Sequence, residues 1–175
     1  RELHKPQNIV EQVKPNRAFP EFYQEINIKE LSDKKKVLLA DEMGVGKSAS
    51  AILAKEYLGV KQALIIAPSN VIETWRGYLS DEVAEDGSQI GYFKQGDAPK
   101  VLILDHLKSL DDNLTDYDYV LISQERMNQK YAEKLSTLDY GMLIVDEVHK
   151  LKNIRSGVRA SHLLDLAKSV NGDEK

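Results

Sequence analysis

Val37-Leu38-Leu39-Ala40-Asp41-Glu42-Met43-Gly44-Val45-Gly46-Lys47-Ser48 is the stretch around which the rest of the chain is arranged. It begins as an apolar run rich in Val and Leu and too short for a helix, breaks at a polar loop carrying glycines, and passes through Lys47-Ser48 into an Ala-rich helical pattern. The expected order is strand, phosphate loop, helix. Gly44 and Gly46 flank Val45 and let the backbone curl with its N–H groups inward, while the helix that follows adds the positive end of its dipole. Such a loop holds a polyanion. Lys47 is placed to reach the β- and γ-phosphates of a nucleotide, and Ser48 to set its hydroxyl on Mg²⁺. The full phosphate-loop pattern, G-x-x-x-x-G-K-[ST], asks for Gly where this chain has Asp41. Taken alone, the stretch also fits a flexible turn with a surface lysine.

A second stretch bears on that choice. Met142-Leu143-Ile144-Val145-Asp146-Glu147-Val148-His149 is another short apolar run, and it ends in two carboxylates. The residue that closes such a strand sits at its C-terminal edge, where ligands of open α/β sheets bind, so Asp146 can hold the Mg²⁺ that Ser48 also touches. Glu147 is then placed to orient or deprotonate an attacking water. An Asp-Glu pair after a strand is usually a solvated turn. Downstream of a phosphate loop it is the other half of a hydrolytic metal site.

Asp41-Glu42-Met43-Gly44-Val45-Gly46-Lys47-Ser48 and Asp146-Glu147-Val148-His149-Lys150-Leu151-Lys152-Asn153 resemble motifs I and II of the SNF2 family of superfamily 2 helicase-like ATPases, motif II being the DEAH-box position. In that family the loop carries Asp-Glu-Met-Gly where other phosphate loops begin with Gly, which accounts for Asp41 and extends the expected nucleotide contacts over Asp41, Glu42, Met43, Gly44, Val45, Gly46, Lys47 and Ser48. The departures are Val45 for Leu, Ser48 for Thr and Val148 for Ala. None removes a phosphate, metal or water-activating group. The resemblance implies a RecA-like P-loop NTPase lobe of the α/β class, with a mainly parallel central sheet and helices on both faces, using ATP and Mg²⁺.

Composition sets the outer bounds. The chain has 175 residues, 42% of them hydrophobic and 30% charged, which suits one soluble globular domain with a real core. The net charge of −4 gives no overall basic signature, so any nucleic-acid contact has to come from a local patch. Cysteine is absent, which excludes a disulfide framework and a thiolate metal site and fits a reducing intracellular compartment. No apolar run reaches membrane-spanning length and no signal-peptide core is visible at the N-terminus, so no membrane partner is expected.

Residues 1–20 contain Pro6, Pro15 and Pro20 without sustained periodicity and read as a lead-in segment, leaving 21–175 for the lobe. A helix is expected from Glu21 to Leu31; within it the resemblance places Tyr23-Gln24 near the nucleotide base, where the Gln24 amide could read an adenine edge, and the residues alone allow a surface glutamine on an amphipathic helix. The lysines at 34–36 are expected to be solvated gatekeepers beside the first strand. The helix after Ser48 carries apolar residues around most of its circumference and ends at Gly59; Ala63–Ala67 is the next strand, buried on both faces.

Pro68-Ser69-Asn70 leads a helix in which Val71, Ile72, Trp75 and Leu79 share a face, with Asn70 and Glu73 spaced as a capping box. Ser80 to Gly87 is an acidic surface excursion. Strands are expected over Gln89 to Phe93 and Lys100 to Leu104, and a core strand over Tyr119 to Ser123, with Ser123 as N-cap of a helix presenting Met127, Tyr131, Leu135 and Leu138. A last amphipathic helix is expected from Ser156 to Val170, with Leu163, Leu164, Ala167 and Val170 inward.

The resemblance continues at two of these junctions. Strand, Pro68-Ser69, then Trp75 looks like motif Ia, which implies that Ser69 and Asn70 touch a DNA backbone, as free N–H groups at a helix start would allow. Trp75 itself reads as core. At the second junction the family has Thr-Thr-Tyr-Glu where this chain has Ser123-Gln124-Glu125-Arg126; Ser123 and Glu125 match, and Ser123 is the implied backbone contact. His149 would couple nucleotide state to a motif III that this stretch does not contain. A second RecA-like lobe, which in such ATPases supplies an arginine worth about 10³ to 10⁵ in rate, is not visible either, so weak or no hydrolysis is expected of this lobe alone. Duplex DNA as the partner follows from the resemblance only. The competing expectations are an RNA or single-strand helicase lobe of superfamily 2 and a nucleotide-binding module that does not hydrolyse.

Overall fold

A computed structural model of the chain describes residues 7–10, 37–41, 47–105, 110, 113–147 and 166, with backbone alone for 37–41, 47 and 50. Its centre is a parallel sheet of five strands: β1 (Val37–Asp41), β2 (Ala63–Ala67), β3 (Val101–Ile103), β4 (Tyr119–Ser123) and β5 (Met142–Asp146), in the order β1-β5-β2-β4-β3. Short runs of Val, Ile and Leu form these strands because a parallel sheet is covered on both faces and has no use for a polar alternate position. Ala63–Ala67 and Tyr119–Ser123 are buried at every residue.

Alternation along the strands divides the core in two. Leu64, Ile66, Val120, Ile122, Leu143 and Val145 point to one face, where α3 (Gln129–Ser136) contributes Tyr131, Ala132 and Leu135 and Leu166 adds a further buried side chain. Ala63, Ile65, Tyr119, Leu121, Met142 and Ile144 point to the other, which α1 (Lys47–Leu58) and α2 (Ile72–Tyr78) cover with Ile52, Leu53, Ala54, Ile72 and Trp75. The helices thus lie on both faces of a RecA-like α/β sheet, as expected. Each fully buried Leu or Ile contributes about 1.5–3 kcal/mol, so these two layers supply most of the driving force.

Local signals account for the C-terminal end of α1. Gly59 has φ +62°, its N–H bonds to the Glu56 carbonyl at 3.1 Å and that of Val60 bonds to the Lys55 carbonyl at 3.2 Å, a Schellman ending that needs the left-handed residue. The chain then turns directly into β2.

Other expectations need correction. Gln89 to Phe93 is no sheet strand: it forms isolated antiparallel bridges, Val83 with Gln89 and Ile9 with Phe93. The segment folds back on the end of α2 instead. The N–H groups of Ile90 and Gly91 both reach the Glu82 carbonyl, Tyr92 N–H reaches Tyr78, and Phe93 N–H reaches Ser80. Phe93 is buried while Ile90 stays exposed, so the run has one anchor rather than a buried face. Lys100 to Leu104 is a strand but a shorter one, at the sheet edge beside β4.

Two caps also differ. Asn70 does not cap: Ser69–Val71 is a 3₁₀ turn, α2 starts after Val71 without a side-chain cap, and Asn70 is exposed. Ser123 does not cap α3. Its hydroxyl accepts from Arg126 N–H at 3.3 Å and closes a turn, while the Asn128 side chain accepts from Tyr131 N–H and caps α3. A hydroxyl can close a turn within three residues as readily as it caps a helix, and the nearer partner wins here. The expected helices at 21–31 and 156–170 lie outside the described residues, apart from Leu166, which is helical and accepts a bond from Tyr140 Oη at 3.3 Å.

Candidate functional site

Because all the strands are parallel, their C-terminal ends share one edge. There β1 and β5 are direct neighbours and the register sets Asp41 opposite Asp146. Lys47 opens α1 after a connection of five residues from Asp41, and Ser48 sits half-buried in its first turn. Glu42, Met43, Gly44, Val45 and Gly46 lie outside the described residues, as do Gln24 and His149. What is described is the frame on which that loop is hung: the strand that delivers it, the helix that receives it, and the carboxylate strand alongside.

Asp146 is held from two sides. Trp75 Nε1 donates to Asp146 Oδ2 at 2.9 Å, and Gln124 Nε2 donates to the Asp146 main-chain carbonyl at 2.7 Å. Gln124 is itself anchored, its main-chain N–H bonding to the Ala67 carbonyl at 2.8 Å, so one buried residue, through backbone and side chain, ties together the ends of β4, β2 and β5. Glu147 follows with φ +52°, a left-handed conformation that costs a non-glycine residue about 1–2 kcal/mol, and it is buried. Non-glycine residues held in that region cluster at functional sites. Ser69, Asn70 and Ser123 emerge at the same edge. The Ser69 N–H, expected to be free for a phosphate, instead donates to Glu125 Oε2 at 2.9 Å; Asn70 is exposed, and Ser123 is buried.

Two residues here were not assigned to the site from sequence. Trp75 is core, as expected, at 3% exposure, but its indole N–H also reaches the carboxylate. An indole N–H rarely goes unpartnered when buried, which was the available signal. Gln124 figured only as a departure from a family pattern. A glutamine that follows a wholly buried strand must find partners for its amide, and that requirement points to the neighbouring strand ends.

Among the described residues no three His, Cys, Asp or Glu side chains gather as a metal cage. The two donors expected from the sequence, the Asp146 carboxylate and the Ser48 hydroxyl, are hard oxygens. That set fits Mg²⁺, which is held by one or two carboxylates with substrate phosphates and water rather than by an all-protein cage.

The fold is shared with a solved structure, the Sulfolobus solfataricus SWI2/SNF2 ATPase core in complex with dsDNA, at TM-score 0.60 and 20% identity over 97% of this chain and 31% of that one. Among curated proteins the chain is 29% identical over 126 residues to the mouse DNA repair and recombination protein RAD54B, covering 66% of this chain and 13% of that protein. It is 26% identical over 145 residues to a Drosophila melanogaster SWI/SNF-related matrix-associated actin-dependent regulator of chromatin, subfamily A-like protein 1, covering 80% of this chain and 17% of the relative. The chain therefore spans less than a fifth of these relatives. A family profile described as the SNF2-related domain matches residues 14–170, nearly the whole length, and the chain belongs to that family.

Proposed function

We propose that this chain is the N-terminal ATP-binding lobe of a SNF2-type, DNA-dependent ATPase that moves along duplex DNA inside the cell. The observation that carries the proposal is the register of Asp41 with Asp146, which sets the start of the phosphate-loop connection beside the carboxylate strand, with α1 opening at Lys47. In this reading Gly44, Gly46 and Lys47 hold the triphosphate within the Asp41–Ser48 loop, Ser48 and Asp146 hold Mg²⁺, and Glu147 orients the attacking water. The Mg²⁺ held there would supply electrostatic stabilisation of phosphate charge. Gln24 would read the base. Ser69, Asn70 and Ser123 would face the DNA backbone, with Glu125 leaving the Ser69 N–H when a phosphate arrives. His149 would link the site to a second RecA-like lobe.

Family membership supports the nucleotide chemistry, and the dsDNA named for the Sulfolobus structure supports the choice of partner. No helix among the described residues is long and apolar enough to cross a membrane. The testing experiment is calorimetric titration of the chain with ATP and Mg²⁺. Binding that disappears in Lys47→Ala and persists in Glu147→Gln is expected; binding untouched by Lys47→Ala would remove the phosphate loop from the assignment.

A further inference from the structure

We infer that Trp75 is a positioning residue for the Asp146 carboxylate: through its indole N–H it fixes the rotamer in which Asp146 meets the cation. The inference rests on the reading of Asp146 as a Mg²⁺ ligand. A carboxylate offers about four lone-pair sites, and the indole is a donor only, so the bond to Oδ2 at 2.9 Å takes one site and leaves Oδ1 its full capacity. Mg²⁺ demands near-octahedral geometry and tolerates little wander in its ligands. A carboxylate at the end of a strand, half-buried, would otherwise turn about its Cα–Cβ and Cβ–Cγ bonds and lose that freedom on binding.

The indole is a rigid support. It is packed between α2 and the sheet, 3% exposed, in the cluster that includes Ile72, Leu79 and Ile144, and its ring meets Tyr78 edge-on at 6.5 Å. Gln124 holds the main chain of the same residue, so Asp146 is fixed at backbone and side chain by different elements. Filling the hydrophobic space alone would need only a ring. The N–H aimed at the one carboxylate that closes β5 is what a phenylalanine in that place would lack.

Trp75 is the only tryptophan in the chain, so its emission reports on this bond without a label. The experiment titrates ATP into the full chain, once with Mg²⁺ and once with EDTA, following heat and Trp75 emission, in the wild type, Trp75→Phe and Asp146→Asn. Outer partners of metal ligands typically contribute about 10–100-fold in metal affinity. Trp75→Phe is expected to weaken ATP binding by about that factor in Mg²⁺ and to leave binding in EDTA unchanged. The wild-type emission is expected to shift with Mg²⁺ and ATP together, not with ATP in EDTA, and this arm needs no altered tryptophan to fold. Equal weakening with and without Mg²⁺, or no weakening, overturns the positioning role, as does an emission that stays still while calorimetry records Mg²⁺-dependent binding. If Asp146→Asn keeps the whole Mg²⁺ dependence, Asp146 is not the ligand and the underlying reading fails first.

Discussion

The side-chain amide of Gln124, on the turn after β4, donates to the main-chain carbonyl of Asp146 at the end of β5, across the intervening strand β2. The bond is 2.7 Å long and Gln124 is 4% exposed, so water cannot readily replace the donor. A buried carbonyl left without a partner costs about 1–3 kcal/mol. Gln124→Leu keeps the bulk and removes the amide, and urea denaturation is expected to show a loss in that range. A loss below about 0.5 kcal/mol, the level of an ordinary surface substitution, would mean that the carbonyl finds another donor and that Gln124 does not hold the strand end.

Glu147, next in the chain, supplies a test of stored backbone strain. Its φ of +52° disfavours every side chain but suits glycine. Alanine normally exceeds glycine in stability by a few tenths to one kcal/mol, yet here Glu147→Gly is expected to be more stable than Glu147→Ala, by about 1 kcal/mol. Both remove the same carboxylate, so the comparison isolates the backbone. Thermal unfolding with alanine the more stable of the two would show that the left-handed conformation is not maintained in solution.

The sheet was legible because it is written in short apolar runs between loops. Ala63–Ala67, Tyr119–Ser123 and Met142–Asp146 match what continuous burial on both faces requires, and Gly59 marks the end of α1 by a conformation other residues avoid. What could not be read were choices made by tertiary contact. Gln89 to Phe93 has strand-like residues, but Gly91 packs against Ser80 and the run bridges rather than pairs. Asn128 took the cap expected of Ser123, since a hydroxyl next to several free N–H groups has more than one partner in reach. At the site, Asp146 and Glu147 stood out by position at a strand end. Trp75 and Gln124 did not, because their hydrogen bonds join elements far apart in sequence, and only the strand order β5-β2-β4 brings them together.

The close approach of Gly91 carries its own prediction. A Cβ there would lie 1.9 Å from the Ser80 carbonyl oxygen and 2.3 Å from its carbon, both backbone atoms that move only if the 80–93 segment leaves α2. At Gly141 a Cβ would meet Val60 Cγ1 at 2.6 Å, the end of a side chain that can turn. Gly91→Ala is expected to cost about 1–3 kcal/mol, the range for overpacking, and Gly141→Ala clearly less. Equal losses in denaturant, or the reverse order, would contradict the backbone packing at Ser80.

Alkaline pH probes the opposite end of the sheet and the 80–93 segment together. The Tyr119 hydroxyl donates to Glu56 Oε1 at 2.9 Å with the Lys55 ammonium 4.6 Å from its ring centre, and burial first, then the Glu56 carboxylate, pushes its ionisation well above the usual value near 10. Tyr92, stacked on Tyr78 at 4.7 Å, is pushed up to about 12, again mainly by burial. For a phenol raised in the folded state, the folded form holds its proton longer than the unfolded chain does. The stabilising contribution is therefore complete below about pH 10 and is lost as pH climbs from there toward and past 12. Melting temperature is expected to be flat in these groups up to about pH 10 and to fall above it, with Tyr92→Phe and Tyr119→Phe each making the fall shallower. The two substitutions differ in what they leave behind: Tyr119→Phe removes a donor from Glu56, which keeps Asn8 Nδ2 at 2.9 Å and Lys55 Nζ at 3.2 Å, so it is expected to lower stability at neutral pH as well. Phenolate absorbance followed through the same titration in wild type and both variants identifies the groups, since Tyr92 and Tyr119 should ionise later than an unperturbed tyrosine. A fall in melting temperature of unchanged steepness in both variants would place the alkaline transition elsewhere in the molecule.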